Sequence, residues 1–416
     1  MGADNLKDAE LPTGENFNQK SHDIWDPQIP VESSHLYNHG DLKFFGPESQ
    51  PEISSKPYII DLFSGAGGIS VGFEMAGFNS LLGIDIHGPS IESFRRNHSH
   101  AGAILGDISK VKDSELFSLV DSKMVSVVSA GVPCQGFSLS NRKRWQDDKR
   151  NFLFKEFIRI VSLINPQVIL LENVSGMVST KGGKFVEDIS LAMSQVGNGY
   201  VVQSRLLNAA DYGTPQTRKR LIFIGHRASG RRKFRFSWPL ESHILKKDED
   251  LQLWDDKPSY VTVRQALCDL PRLDRGQSSH NYCLPLEQTN DFVRLMRRKD
   301  DLLTSHIASM GTASTSQRIA NTPQGEPLYE KFRQRIRLHP DFPSPTIVSG
   351  GIRPQFQNGH PFDARGLTIR ERARLMSFPD SFVFEGGTVM GRVQTGQAVP
   401  PLLAKAIAQE VFKILD

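Results

Sequence analysis

Three kinds of side chain in this 416-residue chain have the type and setting to do chemistry: a thiol, a carboxyl group and a pair of guanidinium groups. The thiol is Cys134, in Gly131-Val132-Pro133-Cys134-Gln135-Gly136-Phe137-Ser138. Residues 123–130 ahead of it are apolar and valine-rich, which predicts a buried strand that the Gly and Pro end in a tight turn. Cys134 then stands at the carboxyl end of a parallel strand, where open α/β sheets hold ligands, placed as a nucleophile. Read alone it also fits a small buried hydrophobe, the common fate of a lone cysteine. The carboxyl group is Glu172, at the end of a predicted strand over 166–171. Apolar neighbours there favour its protonated form, which can donate to a ring nitrogen; the plain alternative is a Glu paired with an Arg. Arg218 and Arg220 flank Lys219 on an extended segment, so both point to one face and suit an anionic or carbonyl-rich substrate.

The elements that must position these groups read as repeated strand-helix units. A short apolar strand over 58–63 runs into Ser64-Gly65-Ala66-Gly67-Gly68 and a helix over 69–76. The glycines let backbone approach a ligand lying over the helix N-terminus. No Lys-Ser/Thr follows, which disfavours a triphosphate. The strand over 80–85 ends in Asp85, about 20 residues past the glycine loop, where doubly wound folds hold a ribose. A strand over 103–105 is followed by Asp107, an acceptor for an exocyclic amine. Each Asp alone reads as well as an N-cap or turn residue; together with the glycine loop they predict a nucleoside cradle.

Further along, residues 141–150 form a basic loop without apolar period, suited to meeting phosphates and closing over a substrate. A helix is predicted over 152–163, and strands over 204–208 and 221–225. The segment from about 227 to 342 lacks period and interleaves basic with aromatic residues, as in Arg231-Arg232-Lys233-Phe234-Arg235 and Arg333-Gln334-Arg335-Ile336-Arg337. Such runs are either solvated faces or a phosphate-backbone footprint. A short strand over 344–348 follows. A helix over 368–376 is then predicted with Thr368 as N-cap and Glu371 in a capping box, and a turn at 395–401 leads into a last helix over 402–414. Residues 1–56 are polar and broken, and read as a disordered or loosely attached extension.

The totals agree with a soluble globular enzyme: 38% hydrophobic, 23% charged, net charge +4 from 50 basic and 46 acidic residues. That balance does not by itself imply nucleic acid. Three cysteines, Cys134, Cys268 and Cys283, are too few and scattered for a disulfide framework, so a reducing, cytoplasmic setting is expected. No apolar run reaches the roughly 18 residues that span a bilayer, so no membrane partner is expected.

Six segments in order make the chain resemble the cytosine-C5 DNA methyltransferase family: residues 61–68, 131–138, Glu172-Asn173-Val174, Gln216-Thr217-Arg218-Lys219-Arg220, 372–380, and Gly396-Gln397-Ala398-Val399-Pro400-Pro401. Gln397 departs from the family's usual Asn. The resemblance implies a doubly wound, Rossmann-like α/β sheet with helices on both faces. It implies a catalytic domain, 57–245 plus 394–416, and a smaller irregular target-recognition domain, 246–393. S-adenosylmethionine would lie against Phe63, Gly65, Gly67, Gly68, Asp85, Ile86, Asp107, Ile108, Pro133, Gln397 and Val399, with no metal. Cys134 would attack carbon 6 of a cytosine flipped from duplex DNA, Glu172 would protonate nitrogen 3, Arg220 would hold the 2-carbonyl, and Arg218 would orient Glu172. Gln135, Ser138, Arg142, Arg144 and Arg150 would meet the DNA. A monomer, prokaryotic and nucleoid-associated, with a restriction endonuclease alongside it in the cell, completes the expectation. The alternatives are an RNA cytosine-C5 methyltransferase on the same motifs and a non-catalytic DNA-binding member. The long basic segment before Ser344 favours DNA over the first, and the presence of Cys134 and Glu172 argues against the second.

Overall fold

Apolar runs buried on both sides make up the centre of the molecule. Five parallel strands carry them: β3 (Tyr58–Leu62), β4 (Asn79–Asp85), β5 (Gly102–Leu105), β6 (Val125–Gly131) and β7 (Val168–Val174). The computed structural model describes residues 35–49, 55–120, 125–132, 152–178, 183–227, 236–245, 256–297, 302–349 and 357–415. Two N-terminal strands, β1 (His35–His39) and β2 (Leu42–Phe45), and the antiparallel pair β8 (Tyr200–Asn208) and β9 (Lys219–Arg227) complete one nine-stranded sheet. Its order is β1-β2-β5-β4-β3-β6-β7-β9-β8. The parallel strands therefore run third, second, first, fourth, fifth, the doubly wound pattern that was expected, with its switch point between β3 and β6.

Side chains alternate across each strand, so one run feeds two cores. Ile60, Leu62, Val128, Ala130, Ile169 and Leu171 face a core shared with α3 (Asp113–Val120), α4 (Phe152–Ile164) and α5 (Lys184–Gln195). Ile59, Val127, Val168 and Leu170 face the other core, filled by α1 (Gly68–Met75) and α11 (Pro401–Phe412). A third helix, α2 (Gly88–Asn97), lays Phe94 on the edge near β5.

Residues 35–45 correct the expectation of a loose extension over 1–56. They form a hairpin whose β2 pairs antiparallel with β5, and Leu42 and Phe44 are fully buried in the first core. Without it β5 would be an open sheet edge. Residues 1–34 lie outside the described residues.

Beyond β9 regular structure is sparse. Short helices α6 (Val263–Leu267), α7 (Asp291–Met296) and α8 (Ala313–Asn321) are joined by loops and isolated bridges. Their core of Val263, Leu267, Val293, Met296 and Leu303 is closed by Leu375 and Leu402. The strand expected over 344–348 is absent: Ser344 makes a single bridge to Gln216. Pro343 and Pro345 remove the N–H donors that a ladder would need there. Helix α9 (Ile369–Leu375) begins at the expected Thr368–Glu371 capping box. Helix α10 (Gly387–Gln397) replaces the turn expected at 395–397, its glycines having hidden the helical period.

Candidate active site

The carboxyl ends of β3 to β7 open into one cleft of about 760 Å³. The glycine loop forms its floor. Gly67 caps α1 with φ +97, and a Cβ on it would sit 2.4 Å from His98 Nε2. Glycine is therefore required twice there, for the left-handed turn and for the close approach. Gly67 itself packs away from the cleft, whereas Phe63, Gly65 and Gly68 line it.

Asp85 and Asp107 both reach the cleft, and both also serve their own turns. Asp85 accepts from the Gly65 and His87 amides, each at 2.8 Å. Burial raises its pKa, opposed by those two amide bonds. Asp107 caps a short 3-10 turn by accepting from Ser109 N at 3.0 Å. Asp107 is thus an N-cap and Asp85 a turn residue, and both still line the cleft. Ile86, although apolar, is 71% exposed beside them, which leaves a hydrophobic platform facing the cleft. Ile108 and Val399 line the same space from buried positions, and Gln397 from the exposed end of α10. Carboxylate acceptors, apolar platforms and a glycine floor fit a nucleoside with a polar tail.

The other half of the cleft holds Glu172, Arg218 and Arg220. β6 and β7 pair in a register that sets Gly131 opposite Glu172. Glu172 is 9% exposed, and burial raises its pKa against the pull of Arg220 and Arg218. Its Oε1 lies 2.6 Å from Arg220 Nε, an ion pair off the hydrogen-bonding direction. The carboxyl group is thus both desolvated and paired.

Arg218 does different work from Arg220. Its Nη1 donates to Ile347 O and its Nη2 to Gly396 O, each at 2.8 Å, so it ties residues 346–349 and the end of α10 to the sheet. It acts on Glu172 through charge alone, and burial pulls its own pKa well down. Gly396 is needed for this seam: a Cβ there would lie 2.1 Å from Ser349 N.

Two further residues belong to the site. Asn173 donates from Nδ2 to Val132 O at 3.2 Å and accepts from Val174 N, pinning the end of β6 to β7. Gln394 lines the cleft, accepts from Ser93 Oγ at 2.7 Å and donates to Glu385 O at 2.9 Å. Asn173 stood in a quoted motif without a role. Gln394 carried no sequence signal, since Ser93, which donates to it, is 301 positions away. Cys134 lies outside the described residues, as do Pro133, Gln135, Ser138, Arg142, Arg144, Arg150 and the basic run 231–235. The described chain ends on their near side at Val132, buried on the cleft wall.

Comparison with known proteins agrees with this geometry. Residues 58–413 match the model of a family described as C-5 cytosine-specific DNA methylase. The Type II methyltransferase M1.HphI of Haemophilus parahaemolyticus is 36% identical over 376 residues, covering 90% of this chain and 91% of that protein. M.DdeI of Desulfomicrobium norvegicum is 34% identical, covering 85% and 88%. A prophage-encoded E. coli protein described as a DNA modification methyltransferase superposes with TM-score 0.70 at 24% identity, over 86% of this chain and 99% of that one. The Dnmt2 methyltransferase of S. pombe shares the fold with TM-score 0.54 at 17% identity, over 86% and 99%. No helix among the described residues is long and apolar enough to cross a membrane.

Proposed function

The chain belongs to the C-5 cytosine-specific DNA methylase family and is a DNA cytosine-5 methyltransferase, and we propose that it modifies one cytosine within a specific duplex sequence by covalent catalysis. One observation carries this reading: the nucleoside-type cradle of Asp85, Asp107 and Ile86 and the Glu172–Arg220 pair open into a single cleft. Its wall ends at Val132, two residues before Cys134.

A cytosine stacked in a duplex hides the face of its ring, so it must be swung out, at a cost of a few kcal/mol. Gln135, Ser138 and the 141–150 loop, with Arg142, Arg144 and Arg150, are assigned to holding the opened duplex. The Cys134 thiolate adds to carbon 6, which turns carbon 5 into an enamine-like nucleophile. Glu172, whose pKa burial raises, gives a proton to nitrogen 3 as charge builds there. Arg220, paired with Glu172, is assigned to holding the 2-carbonyl oxygen; Arg218 holds the seam that frames the pocket. S-adenosylmethionine, bound against Phe63, Ile86 and the two aspartates, supplies an electrophilic methyl group. Carbon 5 takes the methyl group, and the donor would leave as a neutral thioether; water or another base then takes the carbon-5 proton, Cys134 leaves as thiolate, and nitrogen 3 returns its proton to Glu172, which restores the aromatic ring. Residues 57–245 with 394–416 are assigned to catalysis and 246–393 to reading the target sequence. The names of the similar Type II enzymes support a place as the modification half of a restriction-modification system.

The test uses duplex DNA containing 5-fluorocytosine, in which the carbon-5 substituent cannot leave as a proton. With S-adenosylmethionine supplied, a denaturation-resistant protein–DNA adduct is expected from the wild type and none from Cys134→Ser. Absence of an adduct from wild-type protein that methylates unmodified DNA refutes covalent catalysis. Tritium transfer to duplex DNA and to transfer RNA, run side by side, separates this reading from the RNA alternative.

A further inference from the structure

The six buried arginines among the described residues of the irregular region divide evenly. Arg365 pairs with Glu371 and Asp363, Arg374 with Asp269 and Asp380, and Arg370 with Asp380. Arg335, Arg372 and Arg392, exposed by 8%, 3% and 7%, have no such partner among the described residues. Arg372 donates only to neutral acceptors: Thr395 Oγ1 at 3.0 Å, Val348 O at 2.8 Å and Arg392 O at 3.1 Å. Burial, then the charges of Arg392 and Arg335, bring its pKa down to about 9. The Nε atoms of Arg335 and Arg392 are buried with no acceptor among the described residues. Burial alone lowers the pKa of each, with no carboxylate acting on it. Buried positive charge without a counter-ion among the described residues is costly, and an anion brought alongside it would offset that cost.

Arg392 opens onto a place where that anion fits. A cavity of about 170 Å³, separate from the catalytic cleft, is lined by Arg392, Arg275 and the carboxylate-paired Arg365, and no carboxylate lines it among the described residues. Thr315 and Ser316, in the first turn of α8, and Asn358 also line it. The positive end of the helix dipole thus meets the arginines. Arg275 is already oriented, donating to Met310 O at 2.6 Å and Gly311 O at 3.0 Å. The cavity is coupled to the catalytic cleft through one side chain: Arg372 grips Val348, which lines that cleft.

We propose that this cavity, built from Arg392, Arg275 and the first turn of α8, is a seat for one backbone phosphate of the substrate duplex, lying outside the catalytic cleft and fixing the DNA relative to it. The seat carries no sequence information; it sets register. It rests on the reading of the protein as a DNA methyltransferase.

The test measures affinity for a cognate and a scrambled duplex against salt concentration, for wild type, Arg392→Met and Arg275→Met. Arg275 is solvent-facing, so its variant keeps the test open if Arg392→Met folds poorly. Each variant is expected to lower the slope of log K against log salt by about 0.9, the value for one lost phosphate contact, and to weaken both duplexes alike. Inorganic phosphate is expected to raise the melting temperature of wild type more than that of Arg392→Met. Unchanged slopes in variants of a wild type that binds and methylates DNA overturn the proposal and leave the functional reading standing. Stabilisation by phosphate together with unchanged slopes means a seat for free anion, and overturns it too. A wild type that neither binds nor methylates duplex DNA sinks the functional reading and this inference with it.

Discussion

Asp61→Asn isolates what it costs to keep a charge at the heart of the sheet. Asp61 sits on β3 with 1% exposure, in register with Ser129 on β6. Its Oδ1 accepts from Ser129 Oγ at 2.7 Å and its Oδ2 from Ser70 Oγ of α1 at 2.9 Å. Burial outweighs these two bonds, and the pKa rises from 3.8 to about 6. The native state therefore keeps this proton over a range in which the unfolded chain has released it. Stability from this group is complete below pH 3.8 and declines as pH rises through 6. A rise of roughly two units corresponds to about 3 kcal/mol across the whole window, of which about 2 kcal/mol falls between pH 4.5 and 7.5. Asparagine has nearly the same shape and no titration. The variant should gain on wild type by that ~2 kcal/mol between the two pH values, since every other group titrates alike in both proteins. Urea unfolding at pH 4.5 and 7.5, with reversibility checked at each, reads the difference. A wild-type-minus-variant difference that stays flat, or that changes in the opposite direction, would refute the claim that burial governs this carboxyl group.

Two further changes test packing away from the chemistry. Arg374→Met leaves Asp269 and Asp380, both fully buried, without the guanidinium that Nη1 and Nε supply at 3.0 and 2.6 Å; a loss of about 3–5 kcal/mol is expected in urea unfolding, and a loss under about 1 kcal/mol would show that the network contributes little. Phe44→Ala should cost about 3–5 kcal/mol if the β1–β2 hairpin is an integral sheet edge, and native-state hydrogen exchange should then show faster exchange of the β5 amides. A negligible cost would mean that the edge does not rely on the hairpin.

Much of the site was legible because it rests on local rules. The strand, glycine loop and helix from Tyr58 onward, the aspartates at two strand ends and Glu172 at a third follow from period, turn chemistry and the topology of parallel sheets. The capping box at Thr368 follows from four adjacent residues. The hairpin at 35–45 escaped because its two strands are stable only against β5, some 60 residues away. Helix α10 escaped because three glycines break its apparent period, yet Gly391 and Gly396 are there to let Ile369 and Ser349 approach.

The sequence by itself determined the central strand-helix units, the doubly wound sheet and which side chains stand at its carboxyl ends, because those depend on residue type and spacing along a few turns of chain. Only the tertiary structure decided how the arginines divide their work: Arg220 against Glu172, Arg218 clamping two carbonyls more than 120 residues away, and Arg392 lining a second cavity with no acidic partner among the described residues. The reason is that a buried guanidinium is defined by the acceptors around it, and those come from segments that only folding brings together.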